Sequence, residues 1–158
     1  MIDESFRIYI EQLRDGRVEA LQEVFSPDFM DIHEKELAFP DPIVVNGSAY
    51  IADDTLLLNL NVSTQCTLLC KICNEPVRQA IVIEGAYYPI PLNEIKGSVF
   101  DFRETLREAI LVEAPQLAEC HHGKCPLRKS IQKYLTKEEE CKKNDEGKYY
   151  PFADIDTI

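Results

Sequence analysis

Six cysteines are the residues of this chain best suited to chemistry: Cys66, Cys70, Cys73, Cys120, Cys125 and Cys141. Cys70-Lys71-Ile72-Cys73 has the spacing of a zinc knuckle. Two thiolates at that spacing can grip one tetrahedral ion from a tight turn. A complete site needs two more ligands. Cys120 and Cys125 enclose His121, His122, Gly123 and Lys124, and Cys141 is a further donor. The candidate metal set is therefore Cys70, Cys73, Cys120 and Cys125, with zinc as the cofactor it would take. The Cys-x4-Cys half is at the loose end of zinc-ligand spacing. Cys66 ends the buried parity of a strand pattern and reads as a core residue. For Cys70 and Cys73 the plain alternative is a solvent-facing thiol pair.

Other thiol chemistries fit less well. A thioredoxin-like centre opens a helix, whose N-terminus lowers the thiol pKa. Here Asn74-Glu75-Pro76 and a β-rich run follow instead. A cysteine protease needs a histidine and an orienting Asn or Asp placed in space. The histidines are His33, His121 and His122, and the last two merely adjoin Cys120 in sequence. There is no glycine-rich phosphate loop and no HExxH motif. No catalytic residue is assigned, and the expectation is a binding or assembly factor, not an enzyme.

The elements that must position the cysteines are mostly strands. Phe6, Ile8 and Ile10 alternate with Arg7 and Tyr9, a strand pattern closed by Asp15-Gly16. Glu19 to Phe25 places Leu21, Val24 and Phe25 on one side of a short helix, which Ser26-Pro27-Asp28 breaks. Ile43 to Ile51 reads as a strand interrupted at Asn46-Gly47, and Asp53-Asp54 as a turn. Leu56, Leu58, Leu60, Val62, Thr64 and Cys66 share one parity, with polar residues at most positions of the other. Such alternation marks an antiparallel strand with one buried face. Val77 to Glu84 is a third β-rich run, so Cys70 and Cys73 fall in a hairpin turn.

Beyond Pro89 and Pro91 the period changes. Phe102, Leu106, Ala109 and Ile110 form the stripe of an amphipathic helix. Asp101 can cap it, Glu104 stands at capping-box spacing, and Pro115 ends it. Leu127, Ile131 and Leu135 suggest a second helix within residues 126–139. Tyr149-Tyr150-Pro151-Phe152 is expected to dock on the sheet. The whole reads as one α+β domain over 1–158: a curved antiparallel β-sheet or partial barrel in 1–90, then one or two helices and a cysteine-bearing C-terminal segment in 98–158.

The 158 residues carry a formal net charge of −11. Such a surface repels phosphate, which argues against loose electrostatic binding to nucleic acid; a local basic patch could still bind RNA, and no DNA partner is expected. Lys124, Arg128, Lys129 and Lys133 form the densest basic cluster, balanced by Glu138 to Glu140. The N-terminus is acidic with no apolar run after it, and no stretch reaches the ~20 apolar residues of a membrane span. The expected location is the cytoplasm, with no membrane partner. Cysteines there serve more often as thiols or metal ligands than as disulfides.

The order of motifs resembles one family. A strand-rich half leads to Cys70-Lys71-Ile72-Cys73-Asn74-Glu75-Pro76. An Asp-led helix follows from Asp101 to Leu111 and meets Pro115. Then come Cys120-His121-His122-Gly123-Lys124-Cys125-Pro126 and finally Pro151-Phe152-Ala153. This order is similar to that of the YceD family, DUF177, the large ribosomal RNA subunit accumulation proteins. Many relatives carry a second Cys-x-x-Cys in the late patch, whereas here Cys125-Pro126-Leu127 runs into Arg128. The resemblance implies a non-enzymatic factor in large ribosomal subunit biogenesis that supports accumulation or processing of large-subunit ribosomal RNA. Its partners would be that RNA, a basic large-subunit ribosomal protein, or both. The alternative from the cysteines alone is a zinc-binding protein-interaction module unrelated to ribosomes.

Overall fold

In the computed structural model, which describes residues 3–134, seven strands and two helices organise the chain. They are β1 (Arg7–Tyr9), α1 (Ile10–Leu13), β2 (Glu19–Phe25), β3 (Leu37–Ala38), β4 (Ile43–Ala52), β5 (Thr55–Leu69), β6 (Pro76–Pro91), β7 (Val99–Asp101) and α2 (Arg103–Glu113). Every pairing between strands is antiparallel. The architecture is the expected α+β.

β5 is the spine. Its even positions from Leu56 to Leu68 are buried, and its odd positions face outward. One edge of β5 pairs with β4 and, beyond the end of β4, with β3; the other edge pairs with β6. β2 then pairs with β4. Among the described residues β2 and β6 do not meet, so the sheet is open and not a closed barrel. Asp53 and Asp54 turn the β4–β5 hairpin with φ of 48° and 60°. Two consecutive left-handed residues suit the strand twist in a two-residue hairpin turn.

Three local expectations need correction. Glu19 to Phe25 is a strand, not a helix. Pairing along all of β4 supplies its backbone hydrogen bonds, and Val24 turns outward while Leu21 and Phe25 stay buried. Tertiary pairing overrides a short, ambiguous apolar spacing here. Second, Asn46-Gly47 does not interrupt β4. Gly47 sits against the Asn59 carbonyl oxygen so closely that a Cβ would collide with it. Third, α2 begins one residue later than the capping box requires. Asp101 does accept the Arg103 amide at 2.9 Å, but Phe102 is the N-cap and Glu104 lies in the first turn without a capping role.

The core fills the inner face of the sheet. Phe6 stacks on Phe25 with ring centroids 4.0 Å apart, and Phe102 meets both rings edge-on. Phe102, Leu106, Ala109 and Ile110 bury the stripe of α2 against this face. Each fully buried Leu or Phe of this kind contributes roughly 1.5–3 kcal/mol. Arg107 ties α2 to the turn below it, donating from Nε to the Met30 carbonyl at 2.8 Å.

The outer face is composed differently. Val24, Val44, Ser63 and Val82 line up in register across β2, β4, β5 and β6. All four are exposed. No helix among the described residues is long and apolar enough to cross a membrane. The second helical region is short: a turn at Arg128–Ile131 followed by a 3-10 turn at Gln132–Tyr134. Leu135, Cys141 and the Tyr149–Phe152 aromatics lie outside the described residues.

Candidate metal centre

The first half of the centre is the turn between β5 and β6. The chain leaves β5 at Leu69 and re-enters the sheet at Pro76. Cys70 closes this turn with two backbone bonds: its amide donates to Glu75 O at 2.8 Å, and its carbonyl accepts from Asn74 N at 2.9 Å. Asn74 takes φ of 61°, a conformation Asn tolerates better than most residues. The Ile72 amide points at Cys70 Sγ from 3.5 Å. No helix starts here, which removes the helix-terminus activation that a thioredoxin-like thiol relies on.

The second half arrives after α2. Pro115 follows the helix, and the chain lays Ala118 beside Cys70 in a short parallel bridge. Lys71 donates its amide to Ala118 O at 2.9 Å. The Cys120 amide reaches Cys70 Sγ at 3.4 Å. His121, His122 and Gly123 then adopt φ of 56°, 54° and 85°, one turn of left-handed helix. This turn explains how the wide Cys-x4-Cys spacing works. It takes up the extra residues in a tight coil and returns Cys125 to the side of Cys120. The two histidines are carried outward and exposed, outside the thiol cluster.

The result is a four-sulfur site. The Sγ atoms of Cys70, Cys73, Cys120 and Cys125 all lie within 4.8 Å of one another, with Cys73 and Cys120 3.6 Å apart. A tetrahedral zinc with ~2.3 Å Zn–S bonds needs sulfurs roughly 3.8 Å apart. The cluster fits that geometry after small adjustments. Cys70, Cys120 and Cys125 are buried and Cys73 is half-buried, with Ile72 and Val77 packed around them. These four residues could hold one metal ion.

The electrostatics point the same way. Burial alone would push the Cys70 thiol up, but the backbone donors of Cys120, Cys73 and Ile72 outweigh it and bring the thiol down to about 6. Burial pushes Cys120 far up, and the neighbouring sulfurs of Cys125, Cys73 and Cys70 add to it. Cys73 is drawn down by the Glu75 amide, yet burial and the crowded Cys70 and Cys125 sulfurs leave it raised. One thiolate is welcome in this space, and further negative charge is not. A divalent cation held there would remove that conflict, since it would stabilise all four thiolates together.

A carboxylate missed at the level of sequence organises the surroundings. Glu119 accepts the Cys125 amide at 3.1 Å, and Arg128 grips both its oxygens, at 3.0 and 2.8 Å. Lys71, from the first knuckle, stands 3.9 Å away. The Arg128 bonds foremost, and then the Cys125 amide, hold the Glu119 carboxyl down at about 2. Arg128 is therefore not a free member of the basic cluster. The only sequence signal for this role was the position of Glu119 beside Cys120, which is weak because acids are abundant in the chain.

The remaining candidates lie apart. Cys66 is buried in the sheet core, where burial raises its thiol. His33 pairs with Asp31 at 2.6 Å on the surface. A cleft of about 480 Å³ opens between β6 and α2, with Ile83, Tyr88 and Ile90 on one side and Glu108 and Glu113 on the other. Burial first, then these two acids, raises the Tyr88 phenol. Compared with protein-family models, curated proteins and solved structures, the chain has no significant match in any of the three.

Proposed function

We propose that this chain is a structural zinc protein that works as a non-enzymatic factor in large ribosomal subunit biogenesis, in the cytoplasm. The observation that carries the zinc reading is the meeting of four sulfurs from two distant segments within 4.8 Å. Four protein thiolates close the coordination sphere of zinc, which is the habit of structural sites; catalytic sites keep a position open. The ion would fasten the segment after α2 to the tip of the β5–β6 hairpin. Cytoplasmic thiols stay reduced and available to the metal.

The ribosomal part rests on the ordered motifs from Cys70-Lys71-Ile72-Cys73 to Pro151-Phe152-Ala153. Two surface features agree with its expected partners. Lys124 and Lys129 line a small pocket beside Cys125 and could meet RNA phosphates. The acid-lipped cleft between β6 and α2 suits a basic protein segment with an apolar anchor.

Two measurements test the proposal separately. Metal analysis after mild purification should find one zinc per chain, and finding none removes the zinc centre. Sedimentation profiles of a depletion strain should show a deficit of large subunits. A normal subunit ratio removes the ribosomal role and leaves a zinc-binding interaction module.

A further inference from the structure

The outer face of the sheet is almost free of charge, in a chain whose residues are 28% charged. Across β2, β4 and β5 no outward position carries a charged residue. A surface of this extent would ordinarily hold several. The charges that do occur, Arg78 and Glu84, sit on the edge strand β6, and Arg78 is paired with Asp41. Depletion of charge is the compositional mark of the buried centre of a protein interface. Among the described residues, no element covers this face.

We infer that this face is the contact between two copies of the chain, packed sheet on sheet about a twofold axis. The first argument is charge. At −11, most of the surface repels its own copy, and a symmetric contact through an acidic patch would set like charges together. The neutral face is the one that two copies can share without that penalty. It suits neither RNA phosphate nor a basic segment, the partners of the zinc module and the cleft.

The second argument is self-complementarity. The row Val24, Val44 and Val82 offers exposed apolar contact, with Val24 65% and Val82 57% exposed. Beside it lie Asn46 and Asn61, paired in register. Asn61 Oδ1 already accepts the Gly85 amide at 2.7 Å, so Asn46 is the amide that can both donate to and accept from its own symmetry mate, as a lone charge cannot. Size is the third argument. Four strands ~4.8 Å apart and about seven residues long span roughly 450 Å² in projection. Counting both copies and side-chain relief, that is on the order of 1,200 Å² buried, enough for a stable dimer.

Sedimentation equilibrium on the full zinc-loaded chain tests the inference. The wild-type chain should be a dimer that persists at high salt, because no ion pair holds it and screening relieves repulsion between the remaining surfaces. The double variant Val44→Asp/Val82→Asp should weaken dimerisation roughly a hundredfold or more, since the symmetric contact repeats each new charge. Ser63→Lys, at an exposed polar position of the same row, is the second variant should the first not fold. Unchanged circular dichroism and zinc content show that a variant is folded. A wild-type chain that stays monomeric at its highest workable concentration overturns the inference. So does a folded variant that stays dimeric, because the contact must then lie on a strand edge or elsewhere.

Discussion

Glu119 and Cys125 are joined across the wide cysteine loop: the carboxylate accepts the Cys125 amide at 3.1 Å while Arg128 holds its other oxygen at 2.8 Å. The acid thereby orients one sulfur of the cluster and, through Lys71, touches the opposite knuckle. Outer partners of this kind typically change metal affinity about 10- to 100-fold. Glu119→Gln should lower zinc affinity by that order, measured by competition with a chromogenic chelator. Affinity equal to the wild type would mean that Glu119 only ties down Arg128.

Cys73→Ser and Cys66→Ala should separate the two roles of cysteine. The first should abolish stoichiometric zinc. The second should leave zinc in place and cost on the order of 1 kcal/mol, a small cavity in the sheet core. Urea unfolding combined with metal analysis reads both. Zinc loss in the Cys66 variant would contradict the assignment.

Chelation and acid should act alike. Thiolates must be deprotonated to bind metal, so affinity falls as pH falls. Glu119 behaves oppositely to a raised group: its folded carboxyl lies at about 2, below the ordinary value of 4.5. Its contribution is present above the ordinary value and is lost only as pH falls towards about 2. Zinc release should therefore come at higher pH than any loss of the Glu119 contacts. A zinc-release titration followed by circular dichroism checks the order. Simultaneous loss of zinc and of the sheet signal would show that the two are not separable.

The left-handed turn at His121 and His122 carries strain, of order 1–2 kcal/mol for each residue with a Cβ. His122→Gly relieves it at one position. The zinc-bound form should become about 0.5–1 kcal/mol more stable, partly offset by the freer unfolded chain. Thermal melts with zinc present measure the shift. A strong loss of zinc instead would make His122 a ligand.

Gly47→Ala should be costly for a different reason. The new methyl would meet the Asn59 carbonyl oxygen, a backbone atom that cannot move without parting β4 from β5. A loss of about 1–3 kcal/mol is expected for such overpacking. Denaturant unfolding tests it, and a neutral effect would mean that the two strands separate easily here.

Much of the fold was legible in the sequence, because its signals were local. The alternation from Leu56 to Cys66 is a property of consecutive residues, and so is the stripe from Phe102 to Ile110. The hairpin position of Cys70 and Cys73 followed from the β-rich runs on either side. Glu19 to Phe25 was misread because three apolar residues fit either period, and only the partner strand β4 chose between them. Gly47 looked like a break because its value lies in what it touches, the backbone of a strand that comes later in the chain.

For the metal centre the division is the same. Residue types and spacing by themselves marked Cys70 and Cys73 as a candidate half-site and Cys120 and Cys125 as the candidates to complete it. Only the tertiary structure decided that the four sulfurs meet. That outcome depends on α2 crossing the inner face and Ala118 docking beside Cys70. It depends too on a left-handed turn through His121, His122 and Gly123, which the cysteine spacing alone does not announce. The place of Glu119 was decided there as well, since a carboxylate acquires a role from the donors around it, and those come from two separate stretches of chain, Lys71 in one and Cys125 with Arg128 in the other.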